Sequence, residues 1–165
     1  MQVSSIRPAR DTDLAAILAI YNSVIASSTA VYTETPVTLA DRRDWLRGRA
    51  DQGYPVLVAE AGGEVLGYAS FGDFRPWPGY RHTVEHSVHI RDGQRGRGLG
   101  SALVSALLPI ASGLGKHVMV AGIDAENEAS LRMHARLGFV EAGRFREVGR
   151  KFDRWLDLVF CQRIL

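Results

Sequence analysis

Residues 83–108 read TVEHSVHIRDGQRGRGLGSALVSALL. Thr83 to Ile90 alternates and is rich in β-branched residues, which predicts a half-buried strand. Asp92 to Gly100 carries four glycines and two arginines, a turn with few Cβ atoms to restrict it. Beyond it, Leu99, Ala102, Leu103, Ala106, Leu107 and Ile110 recur at helical spacing and predict the buried face of a helix. A strand, a basic glycine turn and a helix start form a unit suited to an anion. The first amides of the helix lack partners, and its dipole favours negative charge there.

Two phosphate loops fail on residues. A nucleoside-triphosphate loop needs lysine and then Ser or Thr after its last glycine, but Ser101-Ala102 follows Gly100. A dinucleotide fingerprint starting at Gly96 needs glycine where Ser101 stands, and belongs in the first β-α unit. What survives is Arg95-x-x-Gly98-x-Gly100. By itself it fits either a diphosphate seat or a solvated helix start.

Working outward, Ile6 to Ala9 predicts a first strand and Asp11 or Thr12 the cap of a helix carrying Leu14, Ile17, Leu18, Tyr21 and Ile25. Thr38 with Asp41 signals a second helix running to about Ala50. Val56 to Ala61 and Val65 to Phe71 form a hairpin through Gly62-Gly63. Residues 72–81, GDFRPWPGYR, make a stiff loop because Pro76 and Pro78 fix their own backbones. Past the opening stretch come a buried strand at Val118 to Ile123 and a helix at Glu128 to Leu137, stopped by Gly138. Val140 to Glu147 and Trp155 to Cys161 close the chain as strands. Pro109 removes a hydrogen bond inside the third helix, and a kink is expected there. The order β-α-α-β-β-β-α-β-α-β-β predicts an α/β (α+β) domain, a mixed sheet covered by helices.

The chain has 165 residues, 46% of them hydrophobic, with a formal charge of +2. One domain covering residues 1–165 is expected. The small net charge argues against a nucleic-acid partner. A single cysteine, Cys161, excludes an intrachain disulfide framework or cysteine-rich metal site. The start lacks the apolar core of a signal peptide and no run is long enough to span a membrane, so a soluble cytoplasmic protein is expected. His82, His86 and His89 invite a metal reading, but alternation puts His89 on the face opposite the other two; no metal is expected.

Arg95-Gly96-Arg97-Gly98-Leu99-Gly100 resembles the acetyl-coenzyme A pyrophosphate motif of the GNAT superfamily of N-acetyltransferases. Asn127-Glu128-Ala129-Ser130, His134 and Leu137-Gly138-Phe139 resemble its second signature, and the element order is similar along essentially the whole chain. Phe71 to Trp77, Tyr80 to Val88, Val31 to Pro36 and Arg132 to Phe139 look like the phosphinothricin and methionine sulfoximine acetyltransferase group. The resemblance implies a mostly antiparallel sheet splayed at the acetyl-CoA strand, with direct transfer of acetyl from acetyl-CoA to the α-amine of a small amino acid or analogue. It implies Glu85 as base. His134 stands where the superfamily often has a tyrosine that protonates the departing thiolate; as a histidine it can donate that proton or act as the base in place of Glu85. The cofactor contacts implied are the backbone of Val88, His89 and Ile90, the turn from Arg95 through Gly96, Arg97, Gly98, Leu99 and Gly100 to Ser101, and Asn127, which is also a natural helix cap. Arg75, Pro76 and Trp77 with Glu85, His86 and Ser87 are the implied acceptor contacts, Arg75 gripping a carboxylate. Tyr32, Thr33 and Glu34 are expected to close the pocket. A homodimer with the C-terminal strands and the acceptor loop near its interface is implied as well. The competing functions are acetylation of a peptide or protein α-amine, and a non-catalytic acyl-CoA sensor.

Overall fold

The computed structural model describes residues 5–165, so the first four positions of the chain's start lie outside the described residues. The elements follow the predicted order: β1 (Ser5–Pro8), α1 (Leu14–Ser27), α2 (Leu39–Asp51), β2 (Val56–Ala61), β3 (Glu64–Asp73), β4 (Thr83–Ile90), α3 (Leu99–Gly113), β5 (Val118–Asp124), α4 (Glu128–Arg136), β6 (Val140–Lys151) and β7 (Arg154–Ile164). They form a seven-stranded sheet in the order β1-β2-β3-β4-β5-β7-β6. Neighbours are antiparallel except for β4 and β5, which run parallel.

That parallel pair positions the site. β3 stays paired with β4 as far as Ile90, but β5 pairs with β4 only from Thr83 to Glu85. After Glu85 the two strands part, and the β5-facing edge of β4 has no strand partner through Ile90. This is the expected splay.

Alternation along the strands sends apolar side chains to both faces. On one face Leu57, Phe71, Val84, Met119 and Val159 pack with Leu103 and Leu107 of α3. On the other, Val56, Val58, Val65 and Tyr68 pack with Ile17 and Ile20 of α1. The buried stripe of α3 is turned from the predicted one: Leu99, Leu103, Val104, Leu107 and Ala111 are buried, whereas Ala102, Ala106 and Ile110 are half-buried.

One local expectation is corrected. Neither Asp11 nor Thr12 caps α1; a 3-10 turn at Asp11–Asp13 precedes it, and the Asp13 carboxylate accepts the Arg10 N–H at 2.7 Å. Asp13 also pairs with Arg7 at 2.7 Å. Pro109 lies inside α3, which continues as one helix from Leu99 to Gly113. Pro109 and Ser105, whose carbonyl loses its partner, are both exposed, so water can satisfy that carbonyl.

Candidate active site

Where β4 leaves β5, a cavity of about 380 Å³ opens, with walls that include Tyr21, Arg42, Trp45, Arg49 and Tyr68 on one side and His86, Asn127, Ser130 and His134 on the other. Glu85, Ser87, Val88, His89, Gly122 and Asp124 also line it. The described residues include five with a buried side-chain nitrogen or oxygen lacking a partner: Arg42, Arg49, Tyr68, His86 and His89. All five are in these walls. Buried polar groups are ordinarily paired, so a concentration of orphans in one cavity marks a place prepared for a polar ligand.

Glu85 reaches across β5. A Cβ on Gly122 would come within 3.1 Å of its Oε1, so glycine leaves the carboxylate its space. Burial pushes the Glu85 carboxyl up from its ordinary value, and the positive charge of Arg75 opposes that shift. A carboxylate made more basic by desolvation is suited to taking a proton.

His86 and His134 sit on the opposite sheet face, packed against Phe139. Their Nε2 atoms are 3.0 Å apart, and His134 Nδ1 lies 2.7 Å from the Ser130 carbonyl. A carbonyl can only accept, so His134 Nδ1 carries a proton. With both rings neutral, His86 Nε2 then donates to His134 Nε2, leaving a bare lone pair on the partnerless His86 Nδ1. Burial lowers the pKa of both rings, and the mutual charge of the pair lowers His86 further. Both ring nitrogens of His134 are therefore engaged within the protein, and its Nε2 reaches the cavity through a proton shared with His86.

The turn after β4 has the shape required for a phosphate. Gly96 and Gly98 have φ of 75° and 78°, and no heavy atom lies within 4 Å of a Cβ built on either. The first helical bond of α3 runs from Ala102 N to Gly98 O, so the amides of Leu99, Gly100 and Ser101 are free of helical partners. Arg95 and Arg97 are exposed on this turn. Gly100 also lets α4 approach α3, since a Cβ there would be 3.1 Å from Met133 Sδ. The open β4 edge at Val88–Ile90 lies between this turn and Glu85. A diphosphate with an extended amide-bearing arm fits these features.

Other expected residues fall as follows. Asn127 Oδ1 caps α4 by accepting Ser130 N–H at 3.1 Å, and Asn127 lines the cavity as well. Ser87 is in the wall, while the His89 side chain points to the α1 side, between Tyr21 and Tyr68. His89 thus lies across the sheet from His86, as alternation requires. Arg75, Pro76 and Trp77 lie on an exposed loop outside the cavity walls. Val31 is in the wall, and Tyr32 stands behind it, donating from Oη to the Asp157 carbonyl at 3.1 Å.

Sequence reading missed Arg42, Trp45, Arg49, Tyr68 and Asp124. A signal for the first three was present. Arg42, Trp45 and Arg49 are spaced three and four apart, on one helix face, and no residue of α2 is buried. A helix that turns arginines and a tryptophan toward the sheet is lining a polar space.

The profile of the Acetyltransferase (GNAT) family matches residues 17–139. An L-methionine sulfoximine/L-methionine sulfone acetyltransferase of Pseudomonas paraeruginosa is 57% identical over 160 residues, covering 96% of this chain and 93% of that protein. Among solved structures, a GNAT superfamily phosphinothricin acetyltransferase from Sinorhizobium meliloti in complex with AcCoA has a TM-score of 0.96 at 36% identity, covering 99% of this chain and 89% of that one. A ribosomal-protein-alanine N-acetyltransferase from Brucella melitensis has a TM-score of 0.96 at 48% identity, covering 98% and 99%. The splayed sheet, the glycine turn and a profile match over most of its length agree: the chain belongs to the GNAT acetyltransferase family.

Proposed function

We propose that this protein is an acetyl-CoA-dependent N-acetyltransferase acting on the α-amine of a small amino acid or analogue of the methionine sulfone, methionine sulfoximine or phosphinothricin type. The observation that carries this is the cavity at the β4–β5 divergence, where a buried, basic carboxylate and a histidine pair face one space beside the glycine turn. The names of relatives support the acceptor class.

When bound, acetyl-CoA supplies an activated acetyl thioester for direct transfer to the amine in a ternary complex. The amides of Leu99, Gly100 and Ser101, the backbone at Gly96 and Gly98, and the charges of Arg95 and Arg97 hold its diphosphate. The open backbone of Val88, His89 and Ile90 pairs with the arm as an added strand would, and the Asn127 side-chain amide donates to it. Glu85 binds the acceptor ammonium and takes its proton, directly or through water. Ser87 and His86 line the path. Arg75, with Pro76 and Trp77, meets the carboxylate at the cavity mouth, near enough for its charge to act on Glu85. The proton shared by His86 and His134 is the one available where the thiolate departs. No helix among the described residues is long and apolar enough to cross a membrane, and we place the enzyme in the cytoplasm as a homodimer.

A thiol-release assay with methionine sulfone, methionine sulfoximine, phosphinothricin and an alanine-started peptide tests the reading. Turnover of the free amino acids is expected. Glu85→Gln should lower kcat by about 10²–10⁴-fold. In wild type, kcat/KM should fall with acid through a pKa above the ordinary 4.5 of a glutamate, because Glu85 must be ionised to accept a proton. Turnover confined to the peptide would transfer the assignment to a protein α-amine. Acetyl-CoA binding without turnover of any amine would make the protein a sensor.

A further inference from the structure

Arg42 and Arg49 face the cavity without an ion pair among the described residues; the charge of Asp73 acts on Arg49 only at a distance. Each is held in place by other means. The Arg42 guanidinium lies 4.4 Å from the Tyr21 ring centre and 4.9 Å from that of Trp45. Arg49 lies over Gly72, where a Cβ would come within 2.5 Å of its Nη1, and that same nitrogen donates to Gln52 at 3.2 Å. Both Nε atoms are buried without a partner, as is the Tyr68 hydroxyl beside them. Burial lowers the Arg49 pKa despite the charge of Asp73, and desolvation is costly for a guanidinium whose donors are unpaired, so the fixed pair is a site suited to acceptor atoms of a ligand.

The register fixes where those acceptors would come from. Gly72 is the cross-strand partner of Glu85, so the Arg49 guanidinium covers the residue directly opposite the proposed base. Arg75 acts on Glu85 from the exposed loop and is already assigned to the α-carboxylate. An acceptor with its ammonium at Glu85 and its carboxylate at Arg75 directs its side chain under α2.

We propose that Arg49, with Arg42 beside it, binds the acceptor atoms of the tetrahedral group at the far end of the acceptor side chain and so selects amino acids ending in a sulfonyl, sulfoximine or phosphinate group. The two guanidiniums supply several N–H donors in planar forks, matched to a tetrahedral group with two acceptor atoms, which are the oxygens of a sulfonyl or phosphinate or the oxygen and imino nitrogen of a sulfoximine. An acceptor without those atoms leaves the donors unpaired, and that difference is the selectivity.

This rests on the acceptor reading above, and its test separates the two. Initial rates are measured with methionine sulfone and with methionine, which has the same carbon–sulfur skeleton without the oxygens. Arg49→Met should lower kcat/KM for the sulfone by about tenfold or more through KM, with methionine and acetyl-CoA changed by less than about twofold. Arg49→Lys keeps the charge but loses the fork, and should show a smaller loss, again confined to the sulfone. Arg75→Ala should lower both amino acids equally. An equal fall for both acceptors in the Arg49 variants would assign that side chain to the carboxylate or to the fold and overturn the proposal. So would no change in either. If wild type turned over neither amino acid, the acceptor reading itself would fall.

Discussion

His89 occupies the slot between Tyr21 and Tyr68 with 7% of its surface exposed. Burial, then the charges of Arg42 and Arg95, lowers its pKa from 6.5 to about 4. The sign of the consequence follows from proton counting. Below 6.5 the unfolded chain takes up a proton that the folded protein refuses until about 4. Stability is therefore fully present above the unfolded value and is lost as pH falls through this window, by up to about 1.4 kcal/mol per pH unit. His89→Phe removes that proton while keeping a ring between the two tyrosines. Denaturant unfolding at pH 6.5 and 5 should show wild type losing about 1.5 kcal/mol more than the variant between the two conditions. Parallel losses would mean that His89 titrates alike in both states. His86 and His134, also held below the ordinary histidine range, leave the variant with a residual slope of the same sign.

At the scale of elements, the β6–β7 hairpin acts on the cavity from a distance. Lys151 is 1% exposed, and its Nζ donates to the carbonyls of Ser28 and Val31 at 2.5 and 2.8 Å. Gly149 makes the seat for Tyr32, since a Cβ there would come within 2.4 Å of the ring. The hairpin thereby fixes the segment that carries Ala30 and Val31 into the cavity wall. Lys151→Met should cost about 2 kcal/mol of stability and raise the amino-acid KM by about tenfold, with less effect on that of acetyl-CoA. Equal changes in both Michaelis constants would show that the tether serves the fold alone. The pocket segment was anticipated at Tyr32 to Glu34, but its tether to the hairpin was not legible in the sequence, for an identifiable reason. The strand predicted to end at Glu147 continues to Lys151 after an irregularity between Phe145 and Gly149, where Glu147 adopts a φ of 53°. The turn beyond it places Phe152 and Asp153 at φ of 49° and 60° without the Asn-Gly or Asp-Gly that announces such a hairpin. By contrast, Thr83 to Ile90 and the glycine turn were legible to the residue, because alternation and missing Cβ atoms are properties of adjacent positions. Arg42 and Arg49 were legible only in part: their spacing puts them on one helix face, but an arginine on a helix reads as solvated until the opposing sheet face is known.

For the molecule as a whole, the unfinished surface is the sheet edge formed by β6. Val140, Phe145 and Val148 of β6 and Trp155 of the neighbouring β7 are 64%, 52%, 56% and 58% exposed, and a long edge strand bearing apolar side chains ordinarily acquires a cover. The edge is linked to the acceptor loop by rings in edge-on contact, Phe145 to Phe160 at 5.7 Å and Phe160 to Phe74 at 6.2 Å. Phe74 immediately precedes Arg75, so a second copy seated here would steady the loop proposed to bind the carboxylate. This is the surface on which the proposed homodimer rests, since a two-fold interface presents the same patch from each subunit. Light scattering on the eluting protein at micromolar concentration should give twice the chain mass for wild type. Phe145→Glu with Val148→Glu places two carboxylates in that patch and should give the single-chain mass with the fold retained by circular dichroism. The monomer should show a raised KM for the amino acid and little change for acetyl-CoA, because the glycine turn lies in the connection between β4 and α3, away from β6 in strand order. A monomeric wild type, or a double variant that stays dimeric, would remove β6 as the interface. A monomer with unchanged amino-acid KM would keep the interface but break its link to the acceptor loop.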